Sequence, residues 1–95
     1  MDTIRILLAD DHAVLRDGIR HILERERDLK VVAEASDGQE AVRLATSLNP
    51  DVAVIDITMP ELDGIEATKQ IKTLCPDVTV LILTAYDDDQ FVFSL

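Results

Sequence analysis

The chain has 95 residues, 47% of them hydrophobic, and 19 acidic against 9 basic side chains give a formal charge of −10. That length holds one small domain, which buries only a modest share of its surface, and the negative charge argues against this segment gripping nucleic acid or an anionic membrane by itself. A single cysteine, Cys75, excludes an internal disulfide, and the start Met1-Asp2-Thr3 has neither the basic nor the long apolar stretch of a targeting segment, so the expectation is a cytoplasmic protein with no membrane span.

In chain order, Ile4 to Ala9 reads as a buried strand, and Val14, Leu15, Gly18, Ile19, Ile22 and Leu23 then recur at the spacing of one helix face. Leu29 to Ala33 is a second strand, with Lys30 and Glu34 at its ends suiting the edge of a sheet. Asp37 and Glu40 have capping-box spacing and open a second helix that carries Ala41, Val42, Ala45 and Leu48 inward. Asn49-Pro50 stops it, because proline disfavours the α conformation in the residue before it. Val52 to Ile55 is uninterruptedly apolar, as expected in the middle of a parallel sheet covered on both faces. Asp63 and Glu66 repeat the capping pair ahead of a third helix with the stripe Ile65, Thr68, Ile71 and Cys75, closed by Cys75-Pro76-Asp77. Cys75 there reads as a small buried hydrophobe. Val78 to Leu83 is a fourth strand, and Asp87 with Gln90 predicts the start of a fourth helix.

Alternating strands and helices joined by right-handed crossovers make an α/β fold with a doubly wound parallel sheet. The order 2-1-3-4 puts the first and third strands side by side, with a crevice outside their carboxyl ends. Asp10 and Asp11 follow the first strand and Asp56 follows the third, so three carboxylates remote in sequence converge. Helix capping accounts for one aspartate of the pair, but not for both together with Asp56. At an effective dielectric of about 20, two like charges about 4 Å apart cost on the order of 4 kcal/mol, which a hard cation such as Mg2+ removes. Asp56 sits at the base of a loop shaped by Pro60 and Gly64, and its carboxylate can act as a nucleophile toward a phosphoryl group. The acyl phosphate so formed needs counter-charge and donors; Thr84, after the fourth strand, offers a hydroxyl, although alone it reads equally as a strand-end threonine. His12 and His21 read as solvated helix positions.

Three rival classes share parts of this pattern. A flavodoxin-like flavin binder needs a hydroxyl- and amide-rich phosphate loop after the first strand, where Asp10-Asp11 would repel phosphate. An aspartyl-nucleophile phosphohydrolase wants a second acid two residues after the nucleophile, where Thr58 stands. An interaction module without turnover remains open.

The Asp10-Asp11 pair, the run Asp56-x-x-Met59-Pro60-x-x-Asp63-Gly64 and Thr84-Ala85 together resemble the receiver domain of bacterial two-component response regulators. Ala9-Asp10-Asp11-His12 and Gly64-Ile65-Glu66-Ala67-Thr68 are most similar to the NarL/FixJ type, and the resemblance runs through residues 1–95. It implies a flavodoxin-like receiver fold in which a sensor histidine kinase phosphorylates Asp56. Mg2+ would be held by Asp11, Asp56 and the backbone carbonyl of Thr58, with Asp10 acting through water. It also implies that Thr84 switches toward the phosphoryl oxygens, that Thr58, Met59, Pro60 and Tyr86 flank the site, and that a transcription-regulating output domain lies outside this segment. Against the family pattern, the fifth strand with its preceding lysine and the fifth helix are missing, and Lys30, Lys69 and Lys72 are not placed to substitute. The expectation is therefore a receiver cut short, its fourth strand an exposed edge. Such an edge, or the fourth helix, invites self-association by strand or helix exchange, and the missing lysine makes Mg2+ binding more persistent than efficient phosphotransfer.

Overall fold

The computed structural model describes residues 3–57, 59, 62–86 and 89–94. Four parallel strands, β1 (Ile4–Ala9), β2 (Leu29–Ala35), β3 (Val52–Asp56) and β4 (Thr79–Tyr86), lie in the order β2-β1-β3-β4, and a fifth, β5 (Asp89–Ser94), adds beyond β4. Three helices, α1 (Ala13–Leu23), α2 (Gly38–Leu48) and α3 (Gly64–Leu74), provide the crossovers. The flavodoxin-like α/β class and the 2-1-3-4 order are those expected from the sequence.

The expected capping residues do cap. Asp37 accepts a hydrogen bond from the Glu40 amide at 2.8 Å, and Asp63 accepts one from the Glu66 amide at 2.9 Å. Each satisfies an amide that the first helical turn would leave unpaired. Asn49 ends α2 in the left-handed region at φ 47°, its N–H still reaching the Ala45 carbonyl, so the chain reverses before Pro50.

The core is split by the sheet. On one side α2 and α3 cover Leu7, Ala9, Ala53, Ile55, Val80 and Ile82 with Ala41, Ala45, Ile71 and Cys75, all buried. Fully burying a leucine or isoleucine contributes roughly 1.5–3 kcal/mol, so this side carries most of the stability. Cys75 is the buried hydrophobe expected, its thiol facing the Ala45 carbonyl at 3.7 Å. On the other side Ile6, Leu8 and Val54 pack against Ile19 and Leu23 of α1 and against the strand residues Leu29, Val31, Leu81 and Leu83.

The apolar face of α1 forms as the spacing predicts and is partly covered: Ile19 and Leu23 pack against the sheet, while Val14 is 88% exposed, Ile22 63% and Leu15 53%. Two expectations are corrected here. In α3 the expected stripe rotates slightly. Ile65 is exposed, and Ala67 is buried beside Thr68 and Ile71.

The second correction concerns the segment after β4, expected to start a helix at Asp87. Asp87 lies outside the described residues, and Asp89–Ser94 form a strand antiparallel to β4, with Leu83 opposite Val92 and Thr84 opposite Phe91. The run Phe91-Val92-Phe93 is strongly β-prone, and the open backbone edge of β4 supplies its partners. The β4 edge expected to recruit a second chain is paired within this one by β5, which takes its place at the edge of the sheet.

Candidate functional site

The register of the central strands builds the site. β1 and β3 pair in parallel up to Ala9 opposite Ile55, so the next residues, Asp10 and Asp56, leave the sheet side by side. Asp10 is 1% exposed, Asp11 is exposed, and Asp56 is half-buried. One ligating atom from each of Asp10, Asp11, His12 and Asp56 lies within 4.8 Å of all the others. The three carboxylates predicted from the sequence are therefore brought together.

Neither Asp10 nor Asp11 caps α1. The N-cap is His12, in an extended conformation and without a side-chain cap. Asp10 Oδ1 accepts from the His12 backbone N–H at 2.8 Å and faces the ring Nδ1 at 3.2 Å, while Asp11 Oδ1 lies 3.0 Å from the same nitrogen. The hydrogen bond from Asp10, helped by the charges of Asp11, Asp10 and Asp56, raises the His12 pKa above the ordinary histidine value. When protonated, the ring places a positive charge beside these carboxylates.

His12 was read from sequence as a solvated helix position. Its ring is indeed 65% exposed, yet it belongs to the cluster. The signal was its adjacency to Asp11 at a helix start, which by itself leaves the ring direction open. His21 is the exposed helix residue expected, its Nδ1 2.8 Å from the Asp17 carbonyl oxygen.

The loop after β3 closes the pocket floor. The Ile57 N–H donates to Leu83 O at 3.1 Å, and Gly64 N–H returns to Ile57 O at 3.0 Å. A Cβ on Gly64 would overlap the Asp56 carbonyl oxygen, and one on Gly38 would overlap that of Leu62, so two glycines permit this packing. Met59 is buried in the core. Thr58 and Pro60 lie outside the described residues. Thr84 and Tyr86 are placed as backbone positions of β4, Thr84 directly after Leu83, the register partner of Asp56.

The donor set suits a hard divalent cation. Carboxylate oxygens are its preferred ligands, and at separations near 4.8 Å each uncompensated carboxylate pair costs roughly 3 kcal/mol at an effective dielectric of about 20. Lys30 and Lys69 are exposed, and Lys72 Nζ donates to Val78 O at 2.9 Å, so none of the three enters the site.

Comparison with known proteins agrees with this arrangement. Residues 6–95 match the family model of the response regulator receiver domain. The chain is 49% identical to the transcriptional regulatory protein LiaR of Bacillus subtilis strain 168 over 97% of its own length and 44% of that protein's. It thus spans less than half of the curated relative it matches. A LuxR-family two-component response regulator from Aurantimonas sp. SI85-9A1 superimposes with a TM-score of 0.85 at 43% identity, over 90% of this chain and 61% of that one. CheY in the CheX-CheY-BeF3-Mg2+ complex of Borrelia burgdorferi gives a TM-score of 0.82 at 26% identity, over 90% and 64%. With strand order, acidic pocket and sequence in agreement, the chain belongs to the response regulator receiver domain family of two-component systems, and most of its relatives are transcriptional response regulators, among them LiaR and NarL.

Proposed function

We propose that this chain is a phosphoryl-accepting signal receiver with Asp56 as the acceptor. The observation that carries the reading is the convergence of Asp10, Asp11, His12 and Asp56 within 4.8 Å at the ends of two central strands. An Asp56 carboxylate oxygen attacks phosphorus of a phosphohistidine on a sensor histidine kinase. The O–P bond forms as the P–N bond breaks, and the departing imidazole takes up a proton. Asp11 and Asp56, with the Thr58 carbonyl and with Asp10 through water, would hold Mg2+. Bound there, Mg2+ offsets the charge of the carboxylates and of the incoming phosphoryl oxygens.

The chain's own residues do the positioning. Asp56 is fixed by its pairing with Leu83 and by the turn at Gly64, so its reach is set before any donor arrives. Thr84, one residue further along β4, supplies the hydroxyl that closes on the phosphoryl group and carries the signal into the segment behind it, with Met59, Pro60 and Tyr86 at the margin of the site. The change acts on a transcription-factor output domain in the cytoplasm. With its net charge of −10 this segment makes no nucleic-acid or membrane contact of its own, and no helix among the described residues is long and apolar enough to cross a membrane. The phosphoryl donor is a protein, so the domain has no diffusible product beyond its own hydrolysed phosphate.

Mass spectrometry after incubation with acetyl phosphate and Mg2+ tests the assignment. The unmodified chain should gain one phosphoryl group, and Asp56→Asn should gain none. Equal labelling of the two, or no labelling of either, refutes it.

A further inference from the structure

We propose that Arg16 is a positioning residue for the acidic pocket, locking the Asp10–Asp11 peptide so that both side chains face a shared cation; this rests on the cation-binding reading above. The β1–β2 ladder ends at Ala9 opposite Ala35, and the Asp10 N–H still finds the Ala35 carbonyl at 3.0 Å. Arg16 takes over at the Asp10 carbonyl, to which its Nη1 donates at 2.6 Å. That carbonyl belongs to the peptide linking Asp10 to Asp11, so holding it fixes the plane from which the Asp11 side chain departs.

The clamp is itself held. Arg16 Nε donates to Glu34 Oε1 at 2.9 Å, and the Arg16 side chain is only 19% exposed. Two donors of one planar guanidinium thus bridge the strand end to an edge-strand carboxylate, a geometry that lysine cannot reproduce. Glu34 also offsets a charge that would otherwise repel a cation from the pocket. Arg16 therefore acts as a donor rather than as a net charge. Arg20 provides a built-in control, because its Nε lies 3.2 Å from Glu34 Oε2 while its Nη2 binds Asp17 at 3.0 Å. It shares the ion-pair network and makes no recorded contact with Asp10.

The test is calorimetric titration of the 95-residue chain with Mg2+ alone, with folding checked by circular dichroism. Arg16→Ala should weaken Mg2+ roughly 10-fold, the low end for groups that orient metal ligands. Arg16→Lys should weaken it in the same direction, since the charge stays while the fork is lost. Arg20→Ala should leave the affinity unchanged despite losing comparable ion pairs, a split that general destabilisation would not produce. In metal-free protein, the Asp11 amide should exchange faster and shift its NMR resonance in Arg16→Ala but not in Arg20→Ala. Should Arg16→Ala fail to fold, Arg16→Lys carries both measurements. Full affinity and an unmoved Asp11 amide in a folded Arg16 variant overturn this inference alone. Failure of the unmodified chain to bind Mg2+ overturns it together with the reading of the pocket.

Discussion

Substituting Gly64 by alanine tests whether the floor of the site is as tight as the backbone implies. The added methyl would overlap the Asp56 carbonyl oxygen and sit 2.7 Å from Ile57 Cα and 3.0 Å from the Asp56 carbonyl carbon. These neighbours are all main chain, so no rotamer change relieves the clash and the loop must shift. Two effects oppose each other: alanine gains about 1 kcal/mol of helix propensity over glycine, while forcing a group into packed space costs about 1–3 kcal/mol or more. With only backbone to displace, the upper part of that range applies. The expected net loss is on the order of 1–2 kcal/mol, or roughly 5–15 °C in Tm for a domain of this size. Gly18 calibrates the propensity term, because a Cβ there meets nothing within 4 Å, and Gly18→Ala should stabilise by about 0.5–1 kcal/mol. Thermal and urea melts followed by circular dichroism measure both. Gly64→Ala melting at or above the unmodified chain would refute the argument that the loop closes directly over the Asp56 peptide.

Further expectations follow from burial, charge and pairing. Ile71 is fully buried under α3, so Ile71→Ala should cost about 2–5 kcal/mol in urea unfolding. Val14→Lys, at a position 88% exposed, should stay within about 0.5 kcal/mol. In metal-free protein, NMR titration should place His12 above the ordinary histidine range, and Asp11→Asn should lower it. Because the folded-state value is raised, the His12 contribution to stability is fully present below the unfolded value of about 6.5 and is lost as pH rises through the folded value. A His12→Asn variant should accordingly lose stability at acid but not at alkaline pH, measured by urea midpoints. A chain ending before Asp89 would bare the edge of β4 from Leu81 to Tyr86. It should associate with rising concentration in sedimentation velocity, where the full chain should associate less.

How much of this was legible in the sequence differed with the range of the interaction. The caps at Asp37 and Asp63 were readable because they are local, a carboxylate three residues ahead of the amide it accepts. Asp10, Asp11 and Asp56 were readable because uninterrupted apolar runs fix where parallel strands end, and parallel pairing then fixes which ends are neighbours. The α1 stripe was readable as a shared face, but periodicity says nothing of how much of that face is covered, and Val14, Leu15 and Ile22 stay exposed. β5 was missed because Asp87 and Gln90 carry a helix-start spacing while Phe91-Val92-Phe93 carry strand preference, and a partner 8–10 residues back in β4 settled the conflict. Arg16 gave no signal at all: its importance lies in two acceptors, one on Asp10 and one on Glu34, that only the fold brings within reach of a single guanidinium.

Asp10 shows why stability and function meet at this pocket. A carboxylate 1% exposed is costly to bury unless donors surround it, and the donors identified for its side chain both come from His12, the backbone N–H at 2.8 Å and the ring nitrogen at 3.2 Å. The second is charged only while the ring is protonated, and the strongest positive neighbour, Arg16, is engaged at the Asp10 main chain and by Glu34. The pocket is thus assembled by backbone register, and its buried acid is held by local hydrogen bonds from His12. On the proposed reading, a cation and the state of Asp56 then set the charge of the pocket, and a lysine or arginine placed among the carboxylates would compete with that cation.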